Sequence, residues 1–289
     1  LCMAFMLAAC GASPSSTASQ AGSGTSAAAD GSAVTIKLGG IGPITGSTAV
    51  YGEAVMNGAQ IAVDEINASD SAVKFEYNFQ DDEGDAETAV NAYNILKDWG
   101  MQVLMGTVTT APCLAVISET EADNMFQITP SASSTDVIVP DNVFQVCFTD
   151  PNQGVSAADY IADNGLATKV AAIYDSSDAY SSGIYNAFAA EAEAKGLEIV
   201  CAEAFTADNK TDFRTQLQKA QSAGADLVFL PIYYQEAALI LTQADQLGYE
   251  PLFFGCDGMD GILALDKLSA LEEEGPCIRC GRCVDACPM

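Results

Sequence analysis

The chain has 289 residues, 49% hydrophobic and 17% charged, and its 39 acidic residues against 11 basic ones give a formal charge of −28. That length supports two lobes with separate cores, and that charge repels nucleic-acid phosphates and anionic head groups, with no basic cluster to offset it locally. Histidine is absent, which removes the usual proton shuttle and a component of most triad and metallohydrolase sites.

Leu1 to Cys10 (LCMAFMLAAC) is apolar, too short to span a bilayer, and ends in small residues before a cysteine. It reads as the tail of a secretion signal whose start lies upstream. Leu7, Ala8, Ala9 and Cys10 resemble a lipobox, in which cleavage precedes Cys10 and a diacylglyceryl group joins its sulfur; an ordinary signal with a chance cysteine is the other reading. Residues 11–33 are rich in Ser, Ala, Gly and Thr, cannot bury a core, and read as a flexible linker.

From residue 34 strands and helices alternate. Val34, Ile36 and Leu38 alternate with Thr35 and Lys37 as a half-buried strand, and Gly39 to Ser47 reads as an irregular loop. From Val50 a helix follows, with Val55, Ala59, Ile61, Ala62 and Ile66 at helical spacing. Tyr51, where loop becomes helix, is placed to face a cleft, because ligands in α/β sheets sit outside the carboxyl ends of strands. Next come the strand Val73 to Phe79, the helix Glu87 to Asp98, the strand Gln102 to Met105, the helix Ala111 to Ala122, and the strands Met125 to Ile128 and Val143 to Phe148. Asp150 and Pro151 interrupt this pattern, placing a boundary at Thr149 to Gln153.

The second half repeats the rhythm. Helices at Val155 to Ala162 and Tyr185 to Lys195 flank the strand Val170 to Tyr174, and Leu197 to Cys201 is a strand. Phe213, Leu217 and Ala220 mark a helix closed by Gly224, and the strand Leu227 to Leu230, helix Glu236 to Gln246 and strand Leu252 to Phe254 complete the series. The expectation is an α/β fold of two lobes, residues 34–150 and 151–260, each a mostly parallel sheet flanked by helices. Neither lobe carries a Gly-rich phosphate fingerprint, which favours a hinged binding protein over a nucleotide enzyme.

The run GPITGSTAVYGEAVMNGAQIAVDEIN, beginning at Gly42, resembles the opening strand, loop and helix of the branched-chain amino-acid-binding proteins, the substrate-binding components of ABC importers with the type 1 periplasmic-binding-protein fold. The resemblance runs from Val34 to Asp260. Gly106 to Pro112 (GTVTTAP) follows a strand and opens a helix, and the resemblance implies that Thr110 there binds an α-carboxylate; alone, Thr110 reads equally as a helix cap. In Thr129 to Ser134 (TPSASS) it implies ligand contacts at Ser131 and Ser133. In Tyr174 to Gly183 (YDSSDAYSSG) it implies that Tyr180 covers the ligand, and in Pro231 to Glu236 (PIYYQE) that Tyr233 forms an aromatic wall. In Gly255 to Gly258 (GCDG) it implies that Asp257 pairs with the ligand ammonium, where the local reading is a turn residue. Family members continue with a segment that returns to the first lobe, so the first lobe is expected to be incomplete here.

Residues 261–289 depart from that family. GPCIRCGRCVDACPM has the spacing C-x2-C-x2-C-x3-C-P, which suits a [4Fe–4S] cluster held by Cys277, Cys280, Cys283 and Cys287. It resembles bacterial ferredoxin motifs, especially that of the iron–sulfur component of Rnf-type electron transport complexes; in two-cluster ferredoxins the fourth cysteine serves the other cluster. Cys113, Cys147, Cys201 and Cys256 each sit in or beside an apolar segment and read as buried small hydrophobes in preference to disulfides, the other reading, since no spacing pairs them. The leading reading is therefore not an enzyme but a monomeric, extracytoplasmic, lipid-anchored protein that passes an aliphatic amino acid to an ABC permease without a cofactor. An electron carrier using the terminal cluster and a ligand-sensing ectodomain are the alternatives.

Overall fold

The structure, a computed structural model, describes residues 33–265. The lipobox at Cys10, the linker before Ala33 and the cluster motif at Cys277, Cys280, Cys283 and Cys287 lie outside the described residues. Two wholly parallel sheets follow one another along the chain. The first contains β1 (Val34–Gly42), β2 (Val73–Asp81), β3 (Val103–Gly106), β4 (Gln127–Thr129) and β5 (Val143–Gln145), in the order β2-β1-β3-β4-β5. The second contains β6 (Lys169–Asp175), β7 (Glu198–Phe205), β8 (Leu227–Leu230) and β9 (Leu252–Gly255), in the order β7-β6-β8-β9. The connecting helices are α1 (Ala49–Ala68), α2 (Ala86–Trp99), α3 (Thr110–Asp123), α4 (Asp150–Asp163), α5 (Ala179–Lys195), α6 (Arg214–Ala223) and α7 (Tyr234–Gln246).

Strand periodicity divides the second core cleanly. Along β6 and β8, Val170, Leu227 and Phe229 pack with Ile161 of α4 and Ile184 and Phe188 of α5. Their neighbours Ala171, Ile173, Val228 and Leu230 pack on the other face with Leu217 of α6 and Ile240 of α7. A strand buried on both faces must be apolar at every position, which is why Leu227–Leu230 reads LVFL. In the first sheet Ile41 and Leu104 pack with Ala89, Tyr93 and Leu96 of α2 and Val116 of α3. Glycines at Gly100, Gly196 and Gly224 end three helices in the left-handed conformation that residues with a Cβ resist.

Several element limits differ from the sequence reading. Gly39, Gly40 and Gly42 belong to β1 rather than to an irregular loop, because Met101, Phe79 and Val108 fill the space where their Cβ atoms would stand. β5 stops at Gln145, short of Phe148. α4 begins at Asp150, since Pro151 in a first helical turn lacks only an N–H that would be unpaired there. α5 begins six residues before Tyr185, because Asp178 caps it by accepting from the Tyr180 N–H. β7 extends to Phe205 alongside β6. No helix among the described residues is long and apolar enough to cross a membrane.

Candidate functional site

The carboxyl ends of six strands converge on one cavity of about 240 Å³. The segment after β1 brings Tyr51, Ala54 and Val55; those after β3 and β4 bring Val108, Thr109, Thr110, Ser131 and Ser133. From the second sheet, Tyr180 follows β6, Tyr233 follows β8, and Asp257, Gly258 and Asp260 follow β9. All seven residues singled out from the sequence as ligand-binding candidates therefore share one cavity.

Buried hydrogen bonds brace the two loops of the first lobe. Thr129 Oγ1 donates to the Thr107 carbonyl at 2.7 Å and accepts from the Ala132 N–H at 2.9 Å, while Gln127 Nε2 donates to the Gly106 carbonyl at 2.8 Å. Ser131 Oγ donates to the Val108 carbonyl at 2.6 Å, which commits its proton and leaves lone pairs free. Thr109 is the residue before α3, so the unpaired N–H groups of the first helical turn lie at this wall. Thr110 is 1% exposed and its hydroxyl has no hydrogen-bond partner.

The wall from the second lobe is aromatic. Tyr180 and Tyr233 stack with ring centroids 4.7 Å apart and planes inclined by 10°. The Tyr180 hydroxyl donates to Asp257 Oδ1 at 2.6 Å and accepts from the Gly258 N–H at 2.9 Å. Burial, and next the Asp257 charge, raise the Tyr180 phenol well above its ordinary value, which keeps it a donor. Tyr180 is 2% exposed, so its ring is enclosed by this wall. Tyr51 crosses between lobes: its hydroxyl donates to the Gly258 carbonyl at 2.6 Å and its ring meets that of Tyr234 edge-on at 5.6 Å.

Among the described residues the charges lining this cavity are acidic, Asp257 and Asp260, and no lysine or arginine lines it. Burial raises the Asp257 carboxyl above the usual carboxylate range against the lowering effect of the Tyr180 and Gln153 side chains. The arrangement offers hydroxyls and helix-start N–H groups on one side and an acid on the other, with Val55, Ala54 and Val108 between. It can hold a carboxylate and an ammonium together beside an apolar group. Sequence reasoning missed Val108, Asp260 and Gln153. Gln153 Oε1 accepts from the Asp257 N–H at 3.2 Å across 104 residues, a pairing without a local signal. Among the described residues no group of three or more Cys, Asp or Glu side chains is placed to hold a metal ion.

Comparison with known proteins agrees with this architecture. The chain is 32% identical over 228 residues to a Leu/Ile/Val-binding protein homolog of Brucella melitensis, covering 78% of this chain and 61% of that protein. It is 29% identical over 229 residues to a leucine-, isoleucine-, valine-, threonine- and alanine-binding protein of Pseudomonas aeruginosa, again covering 78% and 61%. The chain thus spans about three-fifths of the length of these relatives. Among solved structures, a leucine-binding protein of Thermotoga maritima superposes with a TM-score of 0.74 at 29% identity, covering 79% of this chain and 66% of that one. A branched-chain amino acid transporter substrate-binding protein of Streptococcus pneumoniae, in complex with isoleucine, gives a TM-score of 0.72 at 30% identity, covering 78% and 64%. A family model described as periplasmic binding protein matches residues 35–271, and the chain belongs to that family.

Proposed function

We propose that this chain binds an aliphatic, branched-chain-type amino acid in the interlobe cavity and serves as the substrate-binding component of an ABC importer. The observation that carries this reading is one cavity with hydroxyls and a helix start on one wall, an aromatic-buttressed acid on the other, and no lining base. In this reading Thr110 and the first turn of α3 receive the α-carboxylate. Ser131, Ser133 and Asp257 receive the ammonium, and Tyr51, Tyr180 and Tyr233 enclose the ligand. Binding is the whole of its activity, with no covalent step and no cofactor in the lobes. Its setting is extracytoplasmic, with Cys10 as the lipid anchor, residues 11–33 as tether, lobes at 34–150 and 151–260, and a permease as the protein partner of the monomer.

Calorimetric titration with leucine, isoleucine, valine and alanine, with benzoate as a carboxylate lacking an ammonium, tests the reading. Saturable binding of at least one amino acid and none of benzoate is expected; binding of benzoate alone would overturn it. The cysteine spacing after residue 261 favours a second, separable capacity, a [4Fe–4S] cluster on Cys277, Cys280, Cys283 and Cys287. Anaerobic reconstitution with iron and sulfide should then produce visible absorption that Cys280→Ser abolishes without changing amino-acid affinity.

A further inference from the structure

Gln127 is a polar side chain in the core of the first sheet. It lies in β4 opposite Leu104 of β3 and is fully buried, at a position where an apolar residue would serve packing equally well. A buried amide is costly unless it is bonded, and this one is held by two elements. Its Oε1 accepts from Thr120 Oγ1 of α3 at 2.7 Å, while its Nε2 donates to the Gly106 carbonyl at 2.8 Å and lies 3.5 Å from Cys113 Sγ of α3. A carbonyl can only accept, so the amide nitrogen is the end that faces Gly106.

Gln127 is the first rung of a series. The register between β3 and β4 ends at Met105 and Ile128, and beyond it side chains two residues apart replace the backbone donors. Gln127 bonds the carbonyl of Gly106, Thr129 that of Thr107 at 2.7 Å and Ser131 that of Val108 at 2.6 Å. The next carbonyl, of Thr109, accepts from the Thr107 hydroxyl at 3.0 Å and from the Cys113 N–H at 3.2 Å. Four consecutive carbonyls leading into α3 therefore each have a donor. The loop is also pressed against β1, since a Cβ on Gly106 would stand 2.6 Å from the Ile41 carbonyl oxygen. A carbonyl oxygen carries partial negative charge, and one left free beside a bound carboxylate would repel it. With these oxygens occupied, the hydroxyl of Thr110 and the positive end of α3 act on an anion unopposed.

We propose that Gln127 and Thr129 are positioning residues for the α-carboxylate: by tying the carbonyls of Gly106 and Thr107 to β4 they hold the loop so that Thr110 and the first turn of α3, rather than carbonyl oxygens, meet the ligand. Both are 0% exposed and act from behind the cavity wall. The inference rests on the amino-acid reading of the cavity. Gln127→Met keeps the length of the side chain and removes its donor and its acceptor. Its test is a double-mutant cycle on the full chain, with leucine, isoleucine and valine affinity measured by calorimetry for wild type, Gln127→Met, Thr110→Val and the double variant. Gln127→Met should weaken binding at least tenfold in the wild-type background and less than threefold in the Thr110→Val background. A side chain needed for folding alone predicts the same loss in both backgrounds, and that result overturns the proposal.

Thr129 keeps the test decisive if Gln127→Met does not fold. Thr129→Val preserves the shape of the side chain and deletes the hydroxyl that bonds the Thr107 carbonyl, whereas Thr129→Ser retains that hydroxyl. Thr129→Val should show the same coupling to Thr110, and Thr129→Ser should bind within threefold of wild type. A loss in Thr129→Ser as large as that in Thr129→Val overturns the proposal, as do equal losses from Thr129→Val with and without the Thr110 hydroxyl. A wild-type protein that binds none of the three amino acids would remove the cavity reading and this inference with it. Wild-type binding with uncoupled mutant losses removes the role of Gln127 and Thr129 alone.

Discussion

Replacing Asp257 with asparagine separates the charge of this residue from its shape. Its Oδ1 receives the Tyr180 hydroxyl at 2.6 Å, a bond that an amide oxygen can still accept, so the aromatic wall should stay in place. The formal charge is lost. Because no lining residue among the described residues is basic, a bound ammonium would find its countercharge in Asp257 and Asp260. Truncating one side of a desolvated charge pair costs about 2–5 kcal/mol, which is roughly thirtyfold to several thousandfold in affinity. Asp260→Asn makes the same change in net charge on the same cavity and should cost much less. Calorimetric titration of both variants with leucine, isoleucine and valine reads the difference, and equal small losses would refute the assignment of Asp257. The unliganded protein should respond in the opposite sense. Burial raises the Asp257 carboxyl, so its stabilising contribution is complete below the unfolded carboxylate range and is lost as pH rises through its folded value. Asp257→Asn should therefore raise Tm at pH 8 while lowering affinity, a combination that general misfolding cannot produce.

Thr110→Val removes a hydroxyl that has no partner in the unliganded protein, so Tm should hold or rise while affinity falls about tenfold to a hundredfold, the worth of a hydrogen bond to a charged group. Tyr180→Phe deletes both a donor to Asp257 and the acceptor of the Gly258 N–H, and should cost about 1–3 kcal/mol in urea unfolding as well as affinity. Asp82 is fully buried, with Oδ2 unpartnered and its carboxyl pushed up to about 7 by burial. Stability should consequently decline between about pH 4 and pH 7, and Asp82→Asn should remove that decline and gain on the order of 2 kcal/mol at pH 8 in denaturant titrations; a decline that persists in the variant would exclude Asp82 as its source.

The loops that line the cavity are legible in the sequence because each follows an apolar strand and contains turn-forming or hydroxyl residues, a local pattern that survives without knowing the fold. GTVTTAP and PIYYQE are examples: β3 and β8 precede them and α3 and α7 follow. The limits of β1 are not legible, because glycines read as loop until Phe79, Met101 and Val108 are seen to occupy the missing side-chain volume. The start of α5 is hidden by a serine- and aspartate-rich sequence whose Asp178 turns out to be a cap. Asp150 and Gln153 look locally like a break between lobes, since their significance depends on contacts with residues such as Asp257 that periodicity does not encode.

The β5 edge of the first sheet bears on how the protein behaves in concentrated solution. Among the described residues β5 is one of the two outer strands of that sheet, and Phe144, Val146 and Phe148 on and after it are 48%, 69% and 37% exposed. The segment VFQVCF at residues 143–148 has no charge, no proline and no glycine, which is the composition of strands that recruit further strands. What opposes this is colloidal: a formal charge of −28 keeps copies apart at low ionic strength. Screening shortens the reach of that repulsion from about 10 Å at 0.1 M salt to about 3 Å at 1 M. Light scattering should therefore rise with added sodium chloride, and Val146→Lys should suppress the rise by placing a charge beside the β5 edge.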